Sequence, residues 1–346
     1  ASLYKSRNSS FTKPLLCAVF MGTSRSSLVN LQNNMKYLGS ACDWVAVAYS
    51  GDITRLSKLQ KKAAQFGSRL VQYSVEDDQD NQSSSRWNSN YVITANLSTD
   101  PSASSPPEKP TNISFRHIPK PLLYHRLLPL LPTYHRLFLL DEDMSFKDFD
   151  LKHFTRIVNC YGYPRPPLLI AQPLIAENTQ YFKYFNHGVW RRLPIIASAV
   201  GYIEQQAPMM DAAFFDWFVR YFVTPLLPAV RVLGSDWSFD DSWCRASAAF
   251  ARLAYGHSPQ YVESCLLVIQ GTPIHHLDSK QLYYLHLRRN EFGRVGNALR
   301  NITARAFPHW YIAGHRAVDP LHPKSRGDAR RSIRELPVNC SVIERM

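Results

Sequence analysis

Residues 136–146, RLFLLDEDMSF, carry an apolar run straight into three consecutive acids, Asp141, Glu142 and Asp143. In extended chain, residues two apart point to the same side. That aims Asp141 and Asp143 together and Glu142 away from them. Two carboxylates aimed one way repel each other unless a cation sits beside them. Carboxylate oxygens suit hard divalent ions, Mg2+ or Mn2+. An ion held by one or two carboxylates keeps open positions, which the oxygens of a diphosphate can fill. Asp-x-Asp also serves solvated turns and helix caps. What singles out this copy is the apolar strand in front of it and the strand–helix units upstream.

Those units are regular. PLLCAVFMG (14–22) is a short apolar run closed by glycine, a buried strand. Leu28, Leu31, Met35 and Leu38 then recur at helical spacing, with Gly39 as the stop. DWVAVAYSGD (43–52) is a second strand, Ile53 to Phe66 a second helical stripe ended by Gly67, and RLVQYSV (69–75) a third strand. This alternation implies an α/β fold around a mostly parallel sheet with helices on both faces. Residues 76–115 interrupt it with a long polar insertion. The pattern resumes with a helix over 120–131, the 136–140 strand, a helix marked by Leu151, Phe154, Ile157 and Val158, and a strand at 167–173. Residues 199–222 predict a strand, a turn at Pro208 and an aromatic-rich helix. Residues 239–254 predict a helix, and 265–276 a last strand running into a loop. From about 316 the chain turns basic and reads as a surface-wrapping tail. The expected organisation is a stub over 1–12, one catalytic domain over 13–315 and the tail over 316–346.

Composition bounds the partners. Hydrophobic residues make up 45% and charged residues 19%, so most of the chain is expected to fold. Forty Lys and Arg against 27 Asp and Glu give +13, which suits a phosphate- or carboxylate-rich partner. With no long basic run and no nucleic-acid-binding aromatic pattern, nucleic acid is not the expected one. No apolar stretch is long enough for a membrane span, and the amino terminus lacks signal-peptide character. Asn-x-Ser/Thr triplets at Asn8, Asn81, Asn96, Asn112, Asn301 and Asn339 point to the secretory pathway. A Golgi-type lumenal protein is expected, held to the membrane only by an anchor lying outside this sequence. Cys17 and Cys265 lie in apolar runs and read as packed thiols. Cys340, near the carboxyl terminus, is the cysteine expected to be bridged.

Several pieces in one order carry a resemblance: LLCAVFMG, WVAVAYSGD, LFLLDEDMSF, LIAQPLI, YIEQQAPMMDAAFFDWF, SDWSFDDSWC and VIQGTPIHH. From about 14 to 280 the chain resembles the glycosyltransferase A fold, a nucleotide-diphospho-sugar transferase sandwich. More narrowly, it resembles a plant and algal family labelled domain of unknown function 707. The resemblance implies a metal-dependent glycosyltransferase. Its donor would be a nucleotide sugar, a UDP-sugar first, and its acceptor a hydroxyl on a glycan or glycoprotein. Asp143 would chelate the metal, and Asp141 would reach the ribose or a metal-bound water. His276 would be a further ligand, with His275 as the alternative because the doublet leaves the register open. An imidazole ligand favours Mn2+, with Mg2+ possible.

On the acceptor side the resemblance makes Asp240, or its neighbour Asp241, the general base. Glu204 would hold an acceptor hydroxyl, and Trp237 and Trp243 would offer faces for sugar stacking. The nucleotide base would sit near the ends of the first two strands, at Gly22, Thr23 and Arg25 and at Ser50, Gly51 and Asp52, with Asp52 accepting from a base N–H and Arg25 meeting phosphate. Lys120 and Arg126 would face the diphosphate. One departure stands out. The family's usual Asp shortly before the histidine is Gln270 here, which can neither act as a base nor carry charge. That favours the alternative reading, a catalytically silent sugar- or nucleotide-binding module of the same fold.

Overall fold

The computed structural model describes residues 15–22, 24–50, 54–74, 119–162, 168–176, 196–233, 239–256, 265–268, 273–277 and 289–307. The polar insertion, the tail, Thr23, Gly51, Asp52, Trp237 and Gln270 lie outside these residues.

The first three units follow the expected pattern. They are β1 (Leu15–Gly22), α1 (Arg25–Leu38), β2 (Asp43–Ser50), α2 (Thr54–Gln65) and β3 (Leu70–Ser74). Ser24 caps α1 by accepting from the Ser27 N–H at 3.1 Å. Gly39 and Gly67 end the two helices at φ 53° and 73°, values that favour glycine. Next come β4 (Arg136–Asp141), β5 (Met144–Ser145), α3 (Leu151–Gly162), β6 (Ile170–Pro173), β7 (Ile175–Ala176), β8 (Ala197–Val200) and β9 (Met209–Asp211). After α4 (Ala212–Phe218) a π-helical turn leads into α5 (Thr224–Leu233). The described chain closes with α6 (Trp243–Tyr255), β10 (Cys265–Val268), β11 (Ile274–His276) and α7 (Arg289–Ala306).

The large sheet has the order β3-β2-β1-β4-β9-β6-β10-β8. Its pairings make β9 and β8 antiparallel to the other six strands, so the sheet is mostly parallel as expected. A small second sheet, β5-β11-β7, takes one short strand from each of three distant segments. Sequence reading missed it, and it splits the expected 265–276 strand between two sheets. Strands of two or three residues show no hydrophobic periodicity to read.

Both faces of the large sheet are buried. Leu16, Ala18 and Phe20 of β1 face a core with Tyr124, Phe214, Phe218, Phe239, Trp243 and Phe250. Leu15, Cys17, Val19 and Met21 face the other core, with Leu31, Met35, Leu56, Phe146 and Phe154. The expected 120–131 helix is instead a 3-10 helix over Lys120–Leu127 and a second short one over Leu131–Thr133. Pro121 is in the first turn, where its missing N–H costs nothing, but Pro129 removes the donor a continuous α-helix would aim at the His125 carbonyl and its ring crowds that carbonyl.

Two expectations about cysteine are corrected. Cys17 is bonded to Cys42, and Cys265 to Cys244; all four are fully buried. Cys160 is disulfide-bonded as well. An apolar setting looks the same for a thiol and for a buried disulfide, so sequence does not separate them. Trp243 is 0% exposed within the core and offers no face to a sugar.

Candidate active site

The chemistry-bearing side chains gather beyond the carboxyl ends of β1 and β4, where ligands collect in open α/β sheets. β4 stops at Asp141, which lies beside Phe20 of β1. Asp141 is ion-paired with the buried Lys120, whose ammonium also donates to the Gln205 carbonyl at 3.3 Å. Glu142 turns the other way, as expected. Its carboxylate accepts the Gly22 N–H at 2.7 Å and the Ser27 hydroxyl at 2.8 Å. Its role is structural: it ties the acidic turn to the end of β1 and the start of α1.

Beyond the strand the chain turns, and Asp143 meets His276. The carboxylate Oδ2 lies 3.2 Å from the imidazole Nε2. β11 pairs His276 with Met144 and His275 with Ser145, and the Leu277 N–H donates to the Asp143 carbonyl at 2.9 Å. Alternation along β11 sends the two imidazoles to opposite sides. His275 goes outward to Asp148, at 3.0 Å. The register left open by the doublet is therefore decided geometrically: His276 faces the acidic turn.

A divalent ion fits this pair. Two donors bonded at right angles to an ion at about 2.1 Å lie about 3.0 Å apart, close to the observed separation. One carboxylate and one imidazole suit Mn2+. Among the described residues no group of three His, Cys, Asp or Glu is placed to hold a metal ion, so most coordination positions would fall to water or ligand oxygens.

Near the Lys120–Asp141 pair lies a second acidic cluster. Glu204 is buried, and its backbone N–H donates to Gln172 Oε1 at 2.9 Å. Burial first, then Asp240 and Asp141, raise its carboxyl pKa well above the usual range, against opposing effects of Tyr202 and Lys120. Asp240 is buried and accepts the Tyr202 hydroxyl at 2.7 Å. It opens the 3-10 turn Asp240–Ser242 that leads into α6, whose N-cap Ser242 makes no side-chain cap bond. Asp240 and Glu204, remote in sequence, are thus brought together with Lys120 and Asp141. The Asp241 side chain lies outside the description. Arg25 is exposed at the first position of α1, and Arg126 is half-buried in the 3-10 helix.

The chain matches no protein-family model and no curated protein, so the narrower resemblance to the domain-of-unknown-function 707 family gains no support there. Among solved structures it is similar to the glycosyltransferase GlyE of Streptococcus pneumoniae TIGR4. That match has 10% identity over 86% of this chain and 64% of GlyE, with a TM-score of 0.34. It is similar to S. aureus TarS at 11% identity over 95% of this chain and 50% of TarS, with a TM-score of 0.41. The galactosyltransferase LgtC, solved with donor and acceptor sugar analogs, shares 10% identity over 82% of this chain and 95% of its own, with a TM-score of 0.35. The functional reading rests on the site's own geometry. Among the described residues no helix is long and apolar enough to cross a membrane.

Sequence reading missed Tyr202, Gln172 and the polar stripe Ser27, Asn30 and Asn34 on α1. The stripe had a signal. Its spacing interleaves with Leu31, Met35 and Leu38 on the buried face of the helix, where asparagine is out of place unless it has partners.

Proposed function

We propose that this chain is a metal-dependent glycosyltransferase that moves a sugar from a nucleotide donor, a UDP-sugar, to a hydroxyl of a glycan or glycoprotein. The observation that carries the reading is the meeting of Asp143 and His276, from distant segments, at a spacing one ion can bridge. Asp143 and His276 would hold Mn2+, which when bound supplies positive charge to a departing diphosphate. Lys120, already beside Asp141, adds a fixed cation at the same edge.

In this reading Asp240 takes the proton of the acceptor hydroxyl as its oxygen bonds to the sugar's anomeric carbon. The bond from that carbon to the diphosphate breaks, and its electron pair leaves with the phosphate. General-base help of this kind is worth about 10²–10⁴-fold. Tyr202 orients the Asp240 carboxylate through its hydroxyl. Glu204, held neutral by burial, donates a hydrogen bond to an acceptor oxygen. The buried disulfides and the exposed sequon residue Asn301 support a Golgi or other secretory lumen, where disulfides persist.

Calorimetry with UDP and Mn2+ tests the donor side. Binding that requires the metal and is lost in Asp143→Asn is expected; no binding by the pure protein refutes the reading. Donor hydrolysis tests turnover. The parent protein should release free sugar from a UDP-sugar slowly, whereas a silent binding module releases none.

A further inference from the structure

Asn30 straddles Asp143. Its side-chain Nδ2 donates to the Glu142 carbonyl at 2.7 Å and to the Met144 carbonyl at 2.9 Å, the residues on either side of Asp143. One turn further along α1, Asn34 donates to the same Met144 carbonyl at 2.7 Å and accepts the Phe146 N–H at 2.9 Å. The remaining carbonyl, that of Asp143, is taken by Leu277, next to His276. The backbone from 142 to 146 is therefore held from one side by α1 and from the other by β11. Both asparagines are buried, at 7% and 3% exposure. β5 has only two residues and pairs with β11 at two positions, too few to fix a turn without help. An apolar residue at either position would pack in the same layer but leave buried carbonyls without these donors.

We propose that Asn30 and Asn34 are positioning residues of the metal site, holding Asp143 where one ion can bond both it and His276. This rests on reading Asp143 and His276 as metal ligands. Residues that orient a ligand typically change metal affinity by about 10–100-fold, and an effect in that range is expected here.

The test is calorimetric titration of Mn2+ into the protein with UDP present, well below each variant's melting temperature. Asn30→Ala, the milder Asn30→Ser and Asn34→Ala are compared with Leu59→Ala. Leu59 is buried on α2 in the same layer and far in sequence from the acidic turn. The asparagine variants should weaken Mn2+ about 10-fold or more, with Asn30→Ser closer to the parent because its hydroxyl can still donate. Leu59→Ala should lose stability yet keep its Mn2+ affinity. Parent-like affinity in the asparagine variants overturns the positioning role while leaving the metal site intact. Equal loss in Leu59→Ala overturns it too, since affinity would then follow stability. If the parent itself binds no Mn2+, the metal reading fails first.

Discussion

Replacing His276 by alanine should weaken Mn2+-dependent UDP binding far more than replacing His275. The two imidazoles are chemically identical neighbours, so the contrast isolates geometry. His276 lies 3.2 Å from Asp143, with side chains 6% and 15% exposed. His275 lies 3.0 Å from Asp148, with side chains 19% and 55% exposed. Loss of groups that merely orient ligands costs about 10–100-fold in metal affinity, so loss of a direct donor should cost at least about 100-fold. At 1.4 kcal/mol per decade that is about 2.8 kcal/mol. The His275–Asp148 contact is a surface pair, worth about 0–1 kcal/mol and on the opposite side of β11 from Asp143, so His275→Ala should change affinity by less than about threefold. Titration calorimetry at fixed Mn2+ measures both, and a parallel thermal melt checks folding. Equal effects from the two variants, or a larger one from His275→Ala, would refute the assignment of sides along β11.

Two further outcomes are expected. Glu204 holds its proton in the native state to higher pH than in the unfolded chain, because burial and then Asp240 disfavour its charge. Its contribution to stability is present below the unfolded carboxyl pKa of about 4.3 and falls as pH rises from there toward the raised native value. Glu204→Gln should flatten that decline and raise stability at pH 8, measured by urea unfolding across pH; an unchanged pH profile would count against a buried neutral carboxyl. Removing the Cys244–Cys265 bond with a double alanine variant should cost about 2–5 kcal/mol in a denaturant melt, and reductant should destabilise the parent in the same melt, whereas a parent with packed thiols would not respond to it.

The legible part of the fold was the part with period. β1, β2, β3 and β4 are apolar runs long enough to stand out, and Gly39 and Gly67 stop helices where helical stripes end. The acidic turn was legible because three acids after a buried strand demand an explanation. The side of the histidine doublet was not, since it depends on pairing between β5 and β11, strands too short to leave a pattern. Nor was the engagement of Asp141 by Lys120 legible. The period-two rule aims Asp141 and Asp143 together only while the chain stays extended, and the strand stops at Asp141. Apolar spacing over 120–131 did not show that the helix ends early, at Pro129, whose ring cannot continue it. Tyr202 was invisible because its importance comes from meeting Asp240, which only the tertiary fold arranges.

The small sheet has a bearing on how the protein is made. Its three strands are translated far apart, and the histidine facing the acidic turn arrives last of the three. A nascent polypeptide already has β1 to β4 and the acidic turn when much of it is still unsynthesised, yet it has nothing to set opposite Asp143. Products cut short before Ile274 would keep every strand of the large sheet yet lack β11 and His276, so on the proposed reading they would have the fold without the second ligand to the ion.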